Sequence, residues 1–259
     1  MDAGEAHMIP PFAVVQQFVD AFRYIFVGGE SVTGGLQVGG PALVPLLINH
    51  LLLSFISVAV AVLIAVPLGL YLGHTRRAQF LAVNITNAGR AIPPLALIGF
   101  FLAYIGTGFD AFGLVLVLLA IPPILTSTYV ATTQIEPDTV DAARGMGLTE
   151  GQILRRVEFP LGLPTTFSGI RIATVAVVAT ATIAPFASVR TLGVPIISAN
   201  VHGPAGQLGA AILVAVLTLA ISAGLGAVQQ AITPRGLKTA APNRRRGPFA
   251  NLRRRTQTT

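Results

Sequence analysis

The sequence predicts an all-α integral membrane protein: a bundle of five core transmembrane helices carrying a cytoplasmic helix–turn–helix insert. Three observations predict it. Of the 259 residues, 53% are hydrophobic and only 10% are charged, with a mean hydropathy of +0.74. A water-facing surface usually takes about a quarter charged residues, so this chain cannot clothe a soluble globule. The charges are also unevenly placed. None falls at 31–75, 91–109, 111–135, 172–189 or 191–234, and a helix needs roughly 20 apolar residues to cross the hydrocarbon layer. Finally, runs such as LLLSFISVAVAVLIAVPLGL at 51–70 do not alternate in polarity, whereas a porin-like barrel would show about ten-residue alternating strands.

Residues 1–45 are expected to form an extracytoplasmic or interfacial N-terminal segment. Their start lacks the basic residues of a cleavable signal, and Gln16, Gln17, Asp20 and Arg23 interrupt the apolar stretch that follows. Phe12, Val15, Val19, Phe22 and Phe26 recur at helical spacing, which suits an amphipathic helix lying at the outer interface. A sixth span over 12–27, starting inside the cell, is the alternative, and it leaves the other orientations unchanged. The transmembrane domain covers 46–234, with spans near 49–73, 82–105, 111–132, 166–188 and 208–231. Pro67, Pro93–Pro94, Pro122–Pro123 and Pro185 fall in or beside these runs. Membrane helices tolerate such breakers where neighbours satisfy the freed backbone groups, so kinked, bundled helices are expected.

Lys and Arg set the orientation. Arg76 and Arg77 follow the first span, Arg144, Arg155, Arg156 and Arg171 lie in or beside residues 134–164, and eight cations follow Pro234. These fourteen of 17 cations share one side of a five-span chain, leaving Arg23 and Arg190 opposite and Arg90 ambiguous. The crowded side is the cytoplasm. Subtracting the eight tail cations from the net charge of +7 leaves −1 for residues 1–234, so the basic character is local. The tail, 235–259, is expected to be disordered and to meet anionic membrane lipids rather than nucleic acid. The chain has no cysteine, and His7, His50, His74 and His202 lack ligand spacing, so no metal site is expected. HExxH, GxSxG and the Walker loop are absent from the sequence. No catalytic residue is expected, and no nucleotide bound by a Walker loop of this chain.

Between the third and fourth spans lies the polar stretch DAARGMGLTEGQILRRVEFP at 141–160. Asp138 after Pro137 is expected to cap a first helix, with Asp141 in its first turn where the helix dipole favours an acid. Ala142, Ala143, Arg144 and Met146 favour helix, and Gly147 supplies the left-handed residue that ends one. Thr149 and Gln152 form a capping box for a second helix, with Glu150 in its first turn. Ile153, Leu154 and Val157 make an apolar stripe, and Phe159–Pro160 is expected to end the element. Two capped helices suit an element presented to a partner; a connector packed on its own bundle would read the same way.

The spacing Asp141-Ala142-Ala143, Gly147 three residues on, then Val157-Glu158-Phe159-Pro160 after nine more resembles the EAA motif of importer-type ABC transporter permeases. Asp, Val and Phe stand where that motif has Glu, Ile and Leu. Residues 134–184, 49–70 and 84–101 look like the permeases for glycine betaine, carnitine, choline and related osmoprotectants. After Ala184 the likeness weakens: a glycine-rich turn is replaced by PFASVRTLGVP, of which Leu192–Gly193 matches. The resemblance implies a transport subunit and not an enzyme. Residues Asp141, Ala142, Ala143, Arg144, Met146, Gly147, Leu148, Glu150, Ile153, Leu154 and Pro160 would dock on a separate ABC ATPase subunit that holds ATP and magnesium. Met146, Leu148, Ile153 and Leu154 would supply apolar contact there. The resemblance also implies an extracytoplasmic substrate-binding protein and a second permease, identical or homologous.

Polar residues within spans mark candidate positions on the translocation pathway. Asn84, Asn87 and Arg90 share a helix face, and Thr126, Thr180 and Thr182 punctuate later spans. Ser and Thr also bond back to their own helix, so packing is the competing reading for the threonines. With no Trp and four Tyr, the chain is poorly supplied for an aromatic cage around a quaternary ammonium. That recognition is expected in the binding protein. Other readings are an importer permease for another small polar solute or a channel not driven by ATP; ATP dependence with a partner separates the two. An intramembrane enzyme lacks a residue set, and a scaffold would not transport.

Overall fold

The computed structural model describes residues 11–76 and 93–233. In order they form α1 (Pro11–Phe26), β1 (Gly29–Glu30), β2 (Gln37–Val38), α2 (Leu43–Thr75), α3 (Pro94–Tyr104), α4 (Phe109–Thr133), α5 (Pro137–Gly145), α6 (Glu150–Ile153), α7 (Phe159–Thr180), α8 (Gly193–Ile197) and α9 (Ala199–Ile232). Four stretches are long and apolar enough to cross a membrane: Gly40–Thr75, Phe109–Thr133, Glu150–Ala187 and Ala199–Ile232. They match four of the five expected spans and start between two and 16 residues earlier than the charge gaps suggested. Of the span expected at 82–105, the described part is α3, whose 11 residues reach about 16 Å at 1.5 Å per residue. The remainder lies outside the described residues.

Small residues set how these helices pack. In α2, a Cβ on Gly69 would lie 2.7 Å from Thr128 Cβ, and one on Gly73 2.7 Å from Thr132 Cβ. Further along, Ser57 donates to the Gly113 carbonyl at 3.3 Å, so α2 and α4 run parallel with their backbones nearly touching. Without water to drive association, close van der Waals contact is what holds membrane helices together. Helix α7 returns antiparallel to α4, with Gly162 against Ala131 and Gly169 against Ser127. His50 of α2 donates from Nε2 to the Val178 carbonyl of α7 at 3.0 Å. Leu53, Phe112, Leu116, Ile124, Leu125 and Val177 fill the space between these three helices and are wholly buried.

Helix α9 lies outside this trio, antiparallel to α7. Arg171 donates from Nε and Nη2 to Ser222 Oγ at 3.1 and 3.0 Å, and Gln229 donates to the Pro164 carbonyl at 2.8 Å. Helix α1 runs antiparallel along α9. Gly209 sits under Ala21 and Gly206 under the Tyr24 ring, and the Tyr24 hydroxyl meets His202 Nδ1 at 2.7 Å. The face of α1 packed on α9 therefore carries Ala21, Tyr24 and Ile25, set against the α9 glycines. The aromatic stripe Phe12, Val15, Val19, Phe22 and Phe26 points outward, as lipid-facing side chains do.

The two ends of the bundle differ. At one, β1 and β2 pair antiparallel, Gly29 with Val38 and Glu30 with Gln37, and Val32 N–H donates to the Val201 carbonyl at 3.0 Å. The turn after α7 folds back into the same end. Thr191 donates to the Ala181 carbonyl at 2.9 Å, Leu192 is wholly buried, and Gly193 packs directly on the Thr182 carbonyl. Any Cβ there would collide with backbone, so this turn needs glycine at position 193. The opposite end carries the polar insert.

Candidate functional site

Helix α5 begins at Pro137 with Glu136 as its cap residue and no side-chain cap bond. Asp138, expected to cap it, sits in the first turn instead. Proline prefers the first helical position because its missing N–H would be unpaired there anyway, which moves the cap back to Glu136. The exit from α5 is as expected. Gly147 has φ +84°, its N–H donates to the Arg144 carbonyl at 2.9 Å, and Leu148 N–H donates to the Ala143 carbonyl at 3.2 Å. These paired bonds make a Schellman turn. Thr149 and Gln152 then form the capping box, with Gln152 Oε1 accepting from the Thr149 N–H at 2.9 Å.

Phe159–Pro160 does not end the element. The helix continues from Glu150 to Ala187 through a wide π turn at Leu154–Glu158, and Pro160 lies in the first turn of α7. Proline clashes with the carbonyl four residues back, and widening the preceding turn by one residue relieves that conflict. The insert is thus joined rigidly to α7.

Val140, Ala143 and Ile153 form the insert's own core, with Ile135, Leu148 and Val157 packed against it. Ala143 and Ile153 therefore face inward, and Leu148 and Leu154 are half-buried. Of the apolar residues expected to meet a partner, Met146 stands out at 73% exposed. Ala142 and Gly147 are also exposed, and nothing lies within 4 Å of where a Gly147 Cβ would be.

The charged residues join into one network. Arg144 donates to both Glu150 oxygens, from Nε at 2.7 Å and Nη2 at 3.1 Å, and from Nη1 to Asp141 Oδ1 at 2.9 Å. The Arg144 guanidinium holds the Glu150 carboxyl below the ordinary carboxylate range, with His74 adding to the effect. His74, next to last in α2, places Nε2 3.1 Å from Glu150 Oε2 and Nδ1 2.7 Å from Glu158 Oε2. A cleft of about 250 Å3 opens at this joint, lined by His74, Arg76, Asp141, Arg144 and Glu158 among others. Sequence reading missed His74 and Glu158 as partners, because 84 positions separate them. The available signal was an acid, Glu158, at the mouth of a span.

Of the pathway candidates, Thr126, Thr180 and Thr182 fall among the described residues, in α4, at the end of α7 and just after it. Thr126 donates to the Pro122 carbonyl at 2.8 Å and Thr182 to the Ala179 carbonyl at 2.7 Å, both within their own segments. Thr180 is half-buried at the far end of α7. Asn84, Asn87 and Arg90 lie outside the described residues. Among the described residues no cluster of three or more His, Cys, Asp or Glu could hold a metal ion.

A bundle of apolar helices with glycine-lined contacts and a capped polar insert between two spans defines a multi-pass membrane transport subunit. The chain belongs to the family of binding-protein-dependent transport system inner membrane components, whose model matches residues 65–237; it is an ABC transporter permease. The choline transport system permease protein of Bacillus subtilis (strain 168) is 31% identical over 204 residues, covering 78% of this chain and 94% of that protein. The glycine betaine/carnitine/choline transport system permease protein of the same organism is 30% identical over 204 residues, with the same shares. The carnitine transport permease protein of Listeria monocytogenes is 28% identical over 212 residues, 82% of this chain and 97% of that one. Among solved structures, the MetNI methionine ABC transporter in an inward-facing conformation matches with a TM-score of 0.64 at 24% identity, covering 74% of this chain and 96% of its own. That last likeness speaks to the fold alone.

Proposed function

We propose that this permease passes a quaternary-ammonium osmoprotectant, such as glycine betaine, choline or carnitine, into the cell. In this reading residues 137–158 are the coupling element and dock on a separate ATPase subunit that binds ATP and magnesium. An extracytoplasmic binding protein delivers the solute, and a second permease, the same or homologous, completes the passage. The observation that carries the reading is the insert itself. It has its own core, a Schellman turn closing its first helix and a capping box opening its second, and it presents Met146, Ala142 and Gly147 outward at the end we read as cytoplasmic from the distribution of cations. The substrate class comes from the relatives, whose names record choline, carnitine and glycine betaine. ATP closing the partner dimer would displace the insert and shift the passage between two pre-existing states.

Substrate class is tested by competition. Proteoliposomes with the chain, its ATPase and its binding protein are expected to take up labelled glycine betaine, and choline or carnitine should displace the label. Uptake displaced by methionine but not by quaternary ammonium compounds would overturn the assignment and leave the ATP-driven mechanism standing.

A further inference from the structure

Among the described residues, the end of the first core span hydrogen-bonds to the insert through His74. His74 is 14% exposed and contacts Glu158 through Nδ1 at 2.7 Å and Glu150 through Nε2 at 3.1 Å. Both ring nitrogens thus lie within hydrogen-bond reach of a carboxylate, one on each side of the ring. Glu158 is 5% exposed, a depth at which a carboxylate needs a donor. Glu150 holds Arg144, which reaches Asp141. An unbroken chain of polar contacts thus runs from α5 through residues 150–158 to α2.

The covalent connections differ. The insert is continuous with α4 on one side and α7 on the other, whereas α2 has no direct backbone link to it. Among the described residues, His74 makes the side-chain hydrogen bonds between α2 and the insert. The His50 bond to α7 lies towards the other end of α2; at this end the close packing is its seam with α4, where Gly69 and Gly73 meet Thr128 and Thr132. Those apolar contacts are close but not directional, so they oppose separation better than sliding. A bidentate histidine opposes both.

The geometry points to His74 as a positioning residue for energy transmission: holding Glu150 and Glu158, it makes the end of α2 move with the second helix of the insert. A displacement of the insert then reaches the first core span as well as α4 and α7. This rests on the reading of residues 137–158 as the coupling element. In that frame Glu158 works inside the protein, while Met146 and its neighbours face the ATPase.

The test uses the full chain with its ATPase and binding protein in proteoliposomes. The native sequence has no cysteine, so Tyr71→Cys with Arg155→Cys takes two spin labels, one on α2 and one on the insert, at positions that are both exposed. The expected result is one narrow distance that stays the same with and without ATP. In His74→Ala that distance broadens or splits, and solute moved per ATP hydrolysed falls several-fold while the ATPase is still captured. Should His74→Ala fail to fold, Glu158→Leu removes the acceptor from a buried position, leaves no unpaired carboxylate there, and is expected to give a loss in the same direction. A label distance that changes on ATP binding with His74 intact would overturn the proposal. So would unchanged transport per ATP in the variants, or loss of ATPase capture, which would make His74 part of the docking face. Failure of the coupling reading shows separately, as ATP-independent uptake by the chain with His74 intact, and takes the proposal with it.

Discussion

At the scale of residues, glycine decides how close the spans come. Gly69 leaves room for Thr128 and the Leu125 carbonyl, which a Cβ would approach to 2.7 and 2.9 Å. Gly69→Val is expected to overpack this contact at a cost of about 1–3 kcal/mol, read as a lower melting temperature of the purified protein; an unchanged melting temperature would contradict the packing. A second prediction concerns charge. Hydrogen bonds from Arg144 lower the Glu150 pKa, so the pairing adds stability above the unfolded carboxylate range and loses it as pH falls through the depressed folded value. A carboxyl-carbon NMR titration is expected to place the Glu150 midpoint below the ordinary glutamate range; Arg144→Gln should bring it back. Much at this scale was legible in sequence. Gly147 and the Thr149–Gln152 box follow from local rules, because cap and turn chemistry acts over three or four residues. The contacts of His74 were not, since a partner 84 positions away leaves no periodic signal.

At the scale of elements, the insert behaves as a small domain with an inside and an outside. Ile153→Ala empties part of its core, a change that costs about 2–5 kcal/mol in buried sites, and should speed amide hydrogen exchange across residues 150–158. Met146→Ala touches no core and should leave exchange alone while weakening capture of the ATPase. Equal effects of the two changes on exchange would show that the inside–outside division is wrong. Four of the spans were readable from charge-free gaps, because the hydrocarbon layer excludes charge whatever the tertiary fold. Their ends were not. Pro160 reads as a terminator, yet the π turn at Leu154–Glu158 carries the helix past it, an accommodation that depends on packing rather than on the local sequence. The outward stripe of α1 has a similar lesson: its aromatic spacing was visible, but the contact surface is the face carrying Ala21, Tyr24 and Ile25.

At the scale of the whole molecule, the hairpin and the insert lie at opposite ends of the bundle, and the proposed function requires the insert to face the cytoplasm. Single cysteines at Leu36 in the hairpin and Gly151 in the insert are both at exposed positions. A membrane-impermeant thiol reagent should label Leu36→Cys in intact cells, and Gly151→Cys only after the membrane is opened; the reverse pattern would invert the topology. The most direct test is ATP-driven uptake of labelled glycine betaine into proteoliposomes containing the chain, its ATPase and its binding protein, with the insert intact or carrying Gly147→Asp with Ala142→Glu, both at exposed positions. The account predicts uptake that requires ATP with the intact insert, and joint loss of uptake and ATPase capture in the double variant. Normal capture and normal transport by that variant would contradict it.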